Sequence, residues 1–158
     1  MATTTPSTKS AKRLREIVHV IIRMFLVSGR AGPPAEGHLP FNPLYFHILG
    51  RLRERGPTRP SELAATFGVA RTTLSTAVNA LVNRGLLQKE RDPHDGRAQL
   101  VKLSDNGLMV AKAIYRQDLT NMKVLLEQLD NSEIEPFLEL LEKVVRGLEL
   151  SASSGDTK

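Results

Sequence analysis

Residues 57–103 read PTRPSELAATFGVARTTLSTAVNALVNRGLLQKERDPHDGRAQLVKL, and this stretch decides the fold. It predicts two short helices joined by a turn and followed by two strands around a basic loop. In the first helix Leu63, Ala64 and Phe67 recur at helical spacing. Gly68 follows them and is expected to end that helix in the left-handed conformation that glycine adopts easily.

The second helix is expected to begin after Val69 and to have one apolar and one polar face. Its apolar face carries Leu74, Val78 and Leu81 at spacings of three and four residues. Its opposite face has no carboxylate and is rich in hydroxyl, amide and guanidinium groups. The residues of that face are Arg71, Thr72, Thr73, Ser75, Thr76 and Asn79. Such groups suit base edges and phosphates, so this face is the predicted reader of DNA.

The two strands are expected at Leu87–Arg91 and at residues 98–103, with a charged hairpin tip between them. A hairpin beside a helix in the major groove brings its tip to the neighbouring minor groove, where the negative potential favours Arg97. Asp95 is expected to position the Arg97 side chain through an ion pair, while Gly96 allows a tight turn. The alternative is an ordinary polar hairpin tip with an exposed ion pair of little energetic value.

These motifs resemble the winged helix-turn-helix of the MarR family of transcriptional regulators. The resemblance covers about residues 17–148. It rests on Ser61-Glu62-Leu63-Ala64, on Arg84-Gly85-Leu86, on Arg91-Asp92-Pro93 with Asp95-Gly96-Arg97, and on Ser104 and Gly107. It implies a mainly α fold with a small β-hairpin wing (α+β) and a helical dimerisation region built from both termini. It also implies a homodimeric repressor that binds a pseudo-palindromic operator in double-stranded DNA. The wing and backbone contacts expected beside the recognition helix are Arg59, Arg84, Asp95 and Arg97.

The chain departs from the family pattern at three positions. Many relatives carry a basic residue where Thr76 stands, so guanine readout there is in question and Arg71 or the hydroxyls carry more of the specificity. Arg59 and Ala70 stand where a capping Ser or Thr is common, and neither side chain can accept the amide hydrogen bond. Either Arg59 faces a phosphate or Thr58 caps the helix one residue earlier, and the sequence leaves both open.

The composition fits a single domain of packed helices. The chain has 158 residues, and only 4% of them are aromatic. Its 22 Lys and Arg residues exceed its 17 Asp and Glu residues, which suits a polyanionic partner without proving one. No cysteine is present, which excludes thiol-based sensing, disulfides and Cys-ligated zinc. The apolar run at residues 17–27 is broken by His19 and Arg23 and is too short to span a bilayer, so a cytoplasmic location is expected.

Three helices outside the winged helix-turn-helix carry broad apolar stripes. We expect a disordered tail at 1–10, one domain at 11–150 and a second disordered tail at 151–158. Within that domain, residues 57–103 form the winged helix-turn-helix, and residues 11–30 and 104–150 form the helical dimerisation region. Helices are expected at 11–27, from Pro43 to near Gly56, at 104–129 and at 134–148, with Pro136 in the first turn of the last one. The predicted dimer contacts are Ile17, Ile21, Leu126, Leu138, Leu141, Val145 and Leu148. A monomeric bundle is the alternative.

The resemblance also implies an effector pocket between the dimerisation helices and the DNA-binding lobe. Aromatic and basic groups near that crevice suit an aromatic carboxylate or a phenol. The candidates are Arg23, Tyr45, His47 and Tyr115, each of which can equally be plain core or surface. Glu36, His38 and His47 suggest a metal-responsive alternative, although the helix predicted at 104–129 contains no histidine.

Catalysis is not indicated by any motif in the chain. It has no Gly-rich phosphate loop, no His-Glu-x-x-His, no Cys nucleophile and no Gly-x-Ser-x-Gly, and no cofactor is expected. A winged-helix module that binds protein instead of DNA is the remaining alternative. Such a module would tolerate acidic or bulky apolar residues on the second helix, and this helix has neither on its polar face.

Overall fold

The computed structural model describes residues 6–24 and 42–155 and is mostly helical. Its elements in chain order are α1 Thr8–Ile22, α2 Pro43–Arg55, α3 Pro60–Phe67, α4 Arg71–Asn83, β1 Leu87–Arg91, β2 Gln99–Leu103, α5 Asp105–Leu126 and α6 Asn131–Gly155. The helices and the antiparallel β1–β2 hairpin confirm the predicted fold class. The chain forms two compact units, Met1–Leu119 and Thr120–Lys158.

Helix α2 begins as its sequence predicts. The Asn42 side-chain oxygen accepts a hydrogen bond from the Leu44 amide at 3.0 Å, and Pro43 occupies the first helical position. The helix then buries Ile48 and Leu49 completely. The capped start therefore fixes which face of α2 enters the core.

The core of the first unit joins the helix-turn-helix to the hairpin. Its largest fully buried side chains come from α2, α3, α4 and both strands: Ile48, Leu49, Leu63, Leu74, Leu81, Leu87, Val78 and Val101. Thr58 adds a third segment to the hairpin, since its amide and carbonyl pair with the carbonyl and amide of Val101, each at 3.0 Å. These two hydrogen bonds connect the segment before α3 to strand β2.

Two glycines end the helices of the motif, and for Gly68 this confirms the prediction. Gly68 has φ 61° after α3, and Gly85 has φ 69° after α4. After α4 the Leu86 amide donates back to the Leu81 carbonyl at 3.0 Å, which satisfies one of the free carbonyls of the last turn. These stops set the short spacing from α3 to α4 and from α4 to β1.

Ser104 joins the hairpin to α5 and caps that helix at its N-terminus. Its hydroxyl accepts from the Gly107 amide at 2.9 Å and donates to the Gly85 carbonyl, while its own amide donates to Leu86. Gly107 is buried, and a Cβ placed there would lie 1.9 Å from the Leu86 carbonyl oxygen. The first turn of α5 therefore presses directly on the backbone that follows α4.

Three boundaries of the elements before α6 differ from the sequence expectations. Helix α1 begins at Thr8 rather than 11, because the Ser7 hydroxyl caps it by accepting from the Ser10 amide at 3.1 Å. Strand β2 begins at Gln99, since the Ala98 amide donates to the Asp95 carbonyl at 2.8 Å within the turn. Helix α5 ends at Leu126, three residues early. The predicted loop at 28–40 and the end of the first predicted helix, at 25–27, lie outside the described residues.

Helix α6 begins earlier and ends later than predicted. It starts at Asn131, so Pro136 lies in the second turn and not the first, and it continues to Gly155 into the expected tail. The Glu133 carboxylate accepts from the Asp130 amide at 2.9 Å and so fixes the earlier start. Pro136 has no amide hydrogen to donate to the carbonyl of Ser132, four residues earlier in the helix.

Candidate nucleic-acid interface

The polar face of α4 points to solvent. All six of its predicted readers, Arg71, Thr72, Thr73, Ser75, Thr76 and Asn79, are exposed, whereas Leu74, Val78 and Leu81 on the other face are buried. Neither Arg59 before α3 nor Ala70 before α4 gives its helix a side-chain cap. The first-turn amides of α4 are thus not capped by the Ala70 side chain, and helix N-termini of this kind favour phosphate oxygens.

Two side chains on this face have fixed partners within the protein. The Thr76 hydroxyl donates to the Thr72 carbonyl at 3.0 Å, which commits its proton to the helix. The Asn79 side-chain oxygen accepts from the Lys89 ammonium of β1 at 2.8 Å. The second contact joins the reading face to the wing.

Asp92 fastens the wing tip to the start of α3. Only 6% of its surface is exposed, and its carboxylate accepts from Arg59 Nε at 2.7 Å and from the His94 amide at 2.9 Å. Asp92 belongs to the wing motif of the sequence, but no role was predicted for it. The Asp92-Pro93-His94 order is typical of an Asx turn, and this was the available signal.

The charges of this pair are mutually stabilised. The hydrogen bond from the His94 amide, followed by that from Arg59, holds the pKa of the Asp92 carboxyl below its ordinary value. The hydrogen bond to Asp92 raises the pKa of the Arg59 guanidinium. Both groups are therefore ionised at neutral pH.

Neither sequence alternative for Arg59 describes its main contact. The Arg59 guanidinium turns towards the wing, with Nη2 at 2.6 Å from Asp92 Oδ2. Thr58 does not stand at the N-cap of α3, which is Arg59, and its hydroxyl donates to the Gly56 carbonyl at 3.0 Å. About a third of the Arg59 side chain stays exposed (37%), so a phosphate contact from that edge remains a prediction.

The predicted Asp95–Arg97 side-chain ion pair is wrong. Asp95 accepts from the Arg97 backbone amide at 3.1 Å, and its other oxygen lies 3.8 Å from Arg59 Nη2. Among the described residues no carboxylate lies within 4.0 Å of the exposed Arg97 guanidinium. Gly96 is also not in the left-handed region, so the turn is held by the Asp95 side chain and not by glycine geometry.

Arg84, the remaining backbone candidate, is exposed directly after α4 and follows the reading face along the chain. Its position at the C-terminal end of the helix suits a positive charge, since that end of the helix dipole is negative. A phosphate contact from Arg84 stays a prediction.

The effector candidates are distributed over three helices of the first unit. Arg23 follows α1 and is exposed, while Tyr45 packs against the core from α2. His47 lies 5.9 Å from the Phe67 ring, and Tyr115 of α5 lies under Arg53, whose guanidinium carbon is 3.8 Å from the ring centroid.

One carboxyl group lies close to these candidates. Burial raises the pKa of the Asp118 carboxyl, and the charge of His47 lowers it in part. His38 lies outside the described residues. Within residues 6–24 and 42–155, no three His, Cys, Asp or Glu side chains are grouped to hold a metal ion.

The predicted dimer contacts expose apolar surface in the single chain. Ile17 and Ile21 of α1 are 47% and 36% exposed, and Leu141 and Val145 of α6 are 47% and 52% exposed. Leu138 and Leu148 of α6 are exposed as well, while Leu126 at the end of α5 is half-buried. The described helices therefore leave these stripes uncovered.

Comparison with known proteins decides the family. A family model described as MarR family matches residues 39–98. The uncharacterized HTH-type transcriptional regulator YxaD of Bacillus subtilis is 34% identical over 99 residues, which are 63% of this chain and 69% of that protein. The chain belongs to the MarR family.

Solved structures of MarR-family regulators share the fold along most of the chain. The PcaV regulator of Streptomyces coelicolor, in complex with its natural ligand, is 25% identical with a TM-score of 0.60, over 92% of this chain and 98% of PcaV. FabT of Streptococcus pneumoniae, in complex with DNA, is 18% identical with a TM-score of 0.77, over 88% of this chain and 97% of FabT. In the described part of this MarR-family chain, no helix has the length and apolarity needed to cross a membrane.

Proposed function

We propose that this MarR-family chain is a cytoplasmic homodimeric repressor that binds a pseudo-palindromic operator, with α4 in the major groove and the wing in the minor groove. The observation that carries the proposal is the exposed, carboxylate-free face of α4 beside a hairpin whose Arg97 guanidinium is also exposed. FabT, which shares the fold, has been solved with DNA, and this supports the same partner here.

The exposed apolar stripes support the homodimer. A monomer would leave Ile17 and Ile21 of α1, and Leu141 and Val145 of α6, in contact with water. A two-fold axis lets both copies bury the same patch and presents two α4 helices to two half-sites about one helical turn apart. Two half-sites bound together bind far more tightly than one.

We further propose that an aromatic or phenolic ligand relieves DNA binding. PcaV was solved with its natural ligand, which supports a small effector for a chain of this fold. Tyr115 is 43% exposed, and the Arg53 guanidinium over its ring supplies a cation. A ligand there weakens DNA binding only if it binds the DNA-free conformation more tightly.

The test begins with a random-sequence duplex library, from which the full chain should enrich a pseudo-palindrome. Asn79→Ala and Arg71→Ala should each weaken binding to that duplex by roughly 1–3 kcal/mol and relax preference at particular base pairs. Lys112→Ala is the control, because it removes one exposed charge from α5. Failure of the chain to enrich or shift any duplex, even at low salt, would favour the protein-interaction module instead.

A further inference from the structure

A lysine on the wing strand holds the amide group of the recognition helix. Lys89 Nζ lies 2.8 Å from the side-chain oxygen of Asn79, ten residues away in sequence. Alternate residues of a strand share one face, and Leu87 on that face of β1 is buried in the core. Lys89 is therefore directed towards the helices and reaches the solvent-exposed side of α4.

We propose that Lys89 is a specificity-determining positioning residue, which sets the orientation of the Asn79 amide and so decides which bases Asn79 reads. This inference rests on the proposed function. An ammonium has three donors and no acceptor, so only the amide oxygen can face it. The opposite orientation would set the two N–H donors of Asn79 against a positive charge.

This orientation makes Asn79 mainly a donor towards DNA. A free asparagine recognises adenine with both ends of its amide, because its oxygen accepts from N6 while its nitrogen donates to N7. In this chain the Lys89 ammonium occupies one of the two lone pairs of the oxygen, and its bulk and charge disfavour a second donor such as adenine N6 there, while the NH₂ group can donate to base acceptors. Guanine offers two such acceptors, N7 and O6, in the major groove. Lys89 thus shifts the preference of Asn79 from adenine towards guanine.

Thr76 supports this division of roles one turn earlier on α4. Its hydroxyl proton is committed to the Thr72 carbonyl, so towards DNA it presents lone pairs and a methyl group. Thr76 and Asn79 are three residues apart and lie side by side on the helix surface. Towards DNA, Thr76 therefore presents a hydrogen-bond acceptor and Asn79 presents a donor.

The experiment uses the full-length chain and its selected duplex. Asn79→Ala first identifies the base pair at which preference is lost. At that base pair wild type should favour guanine over adenine by roughly tenfold, and 7-deazaguanine should weaken its binding. Lys89→Met keeps the aliphatic stem and removes the ammonium, and it should reverse or abolish the guanine preference at that base pair only. Lys89→Arg retains a donor and should keep it.

Two controls separate positioning from charge. Lys102→Met removes the same charge from β2, where Lys102 pairs with Glu90, and should leave the preference unchanged. In the Asn79→Ala background, Lys89→Met should change base preference no further. Lys89 is exposed and Lys102 is partly exposed, so the stability of the variants is expected to be close to wild type.

Two outcomes overturn the inference in different ways. If Lys89→Met weakens binding equally for all four base pairs and lowers the salt slope by about one, Lys89 contacts a phosphate and does not position Asn79. The proposed function would survive that result. If wild type binds no duplex selectively, the proposed function fails and this inference fails with it.

Discussion

Replacing Gly107 by alanine should disrupt the packing of the first turn of α5 against the Leu86 backbone between α4 and β1. The added Cβ would lie 1.9 Å from the Leu86 carbonyl oxygen, whereas real Cβ contacts stay beyond about 3.0 Å. The first turn of α5 must therefore move by more than 1 Å. Because Ser104 bonds to both Gly85 and Leu86, that movement strains the hydrogen bonds that anchor the helix start.

The size of the effect follows from two opposing contributions. Overpacking typically costs about 1–3 kcal/mol, and the upper end applies here because the obstacle is backbone and cannot rotate away. Alanine in a helix recovers about 1 kcal/mol relative to glycine. The net loss in free energy of unfolding should be about 2 kcal/mol. For a chain of this length that lowers Tm by roughly 4–8 °C.

Gly50→Ala is the matched control, because Gly50 lies inside α2 and a Cβ there meets nothing within 4 Å. It should gain up to about 1 kcal/mol and raise Tm slightly. Both variants are compared with wild type by thermal and urea unfolding at one protein concentration, since dimerisation couples stability to concentration. If Gly107→Ala is as stable as Gly50→Ala, Gly107 does not pack directly against the Leu86 carbonyl, and the proposed packing of α5 on this backbone is wrong.

Three further predictions test the wing and the dimer. Asp92→Asn should reduce the loss of unfolding free energy at acid pH, because the pKa of the Asp92 carboxyl is lower in the folded than in the unfolded chain, so the wild-type carboxylate stabilises the fold above its unfolded pKa and loses that contribution as pH falls through its folded pKa. Urea unfolding from pH 7 to 3 measures this, and an acid slope equal to that of wild type would contradict it. Arg97→Ala should weaken binding to the selected duplex and flatten its salt dependence by roughly one to two phosphate equivalents with base preference kept, and a wild-type slope would mean that the wing does not touch DNA. The double variant Leu141→Glu with Val145→Glu should be a monomer by light scattering, whereas wild type should be a dimer, and the variant should no longer bind DNA tightly. A monomer mass for the wild-type chain would rule out the dimer.

The elements that the sequence predicted best are those whose signals are local. Leu74, Val78 and Leu81 follow helical periodicity, and Gly68 and Gly85 occupy left-handed positions that favour glycine. These signals depend only on residues a few positions apart, so contacts between distant parts of the chain do not change the structures that they predict. The exposed face of α4 follows directly from the burial of the opposite face.

The contacts that the sequence missed join residues far apart. Arg59 and Asp92 are 33 residues apart, and no periodic pattern connects a helix start to a hairpin tip. Asp95 stands two residues from Arg97, which made a local ion pair the natural prediction, yet the fold brings Arg59 within 3.8 Å of it instead. Pro136 was misplaced for a different, local reason: Glu133 accepts from the Asp130 amide three residues earlier, and this contact starts α6 before the position that the proline alone indicated.

The Lys89–Asn79 contact stands apart from the core that keeps the chain folded. It joins two exposed side chains of β1 and α4, whereas the largest fully buried side chains in the described part of the chain are all aliphatic. Exposed or partly exposed polar contacts contribute little to stability, but they fix where charged and hydrogen-bonding groups point. Losing the Lys89–Asn79 contact should therefore change what α4 and the wing present to DNA while leaving the unfolding free energy nearly intact. Truncating Leu74 or Leu81 to alanine should do the reverse and cost about 2–5 kcal/mol before any readout is affected.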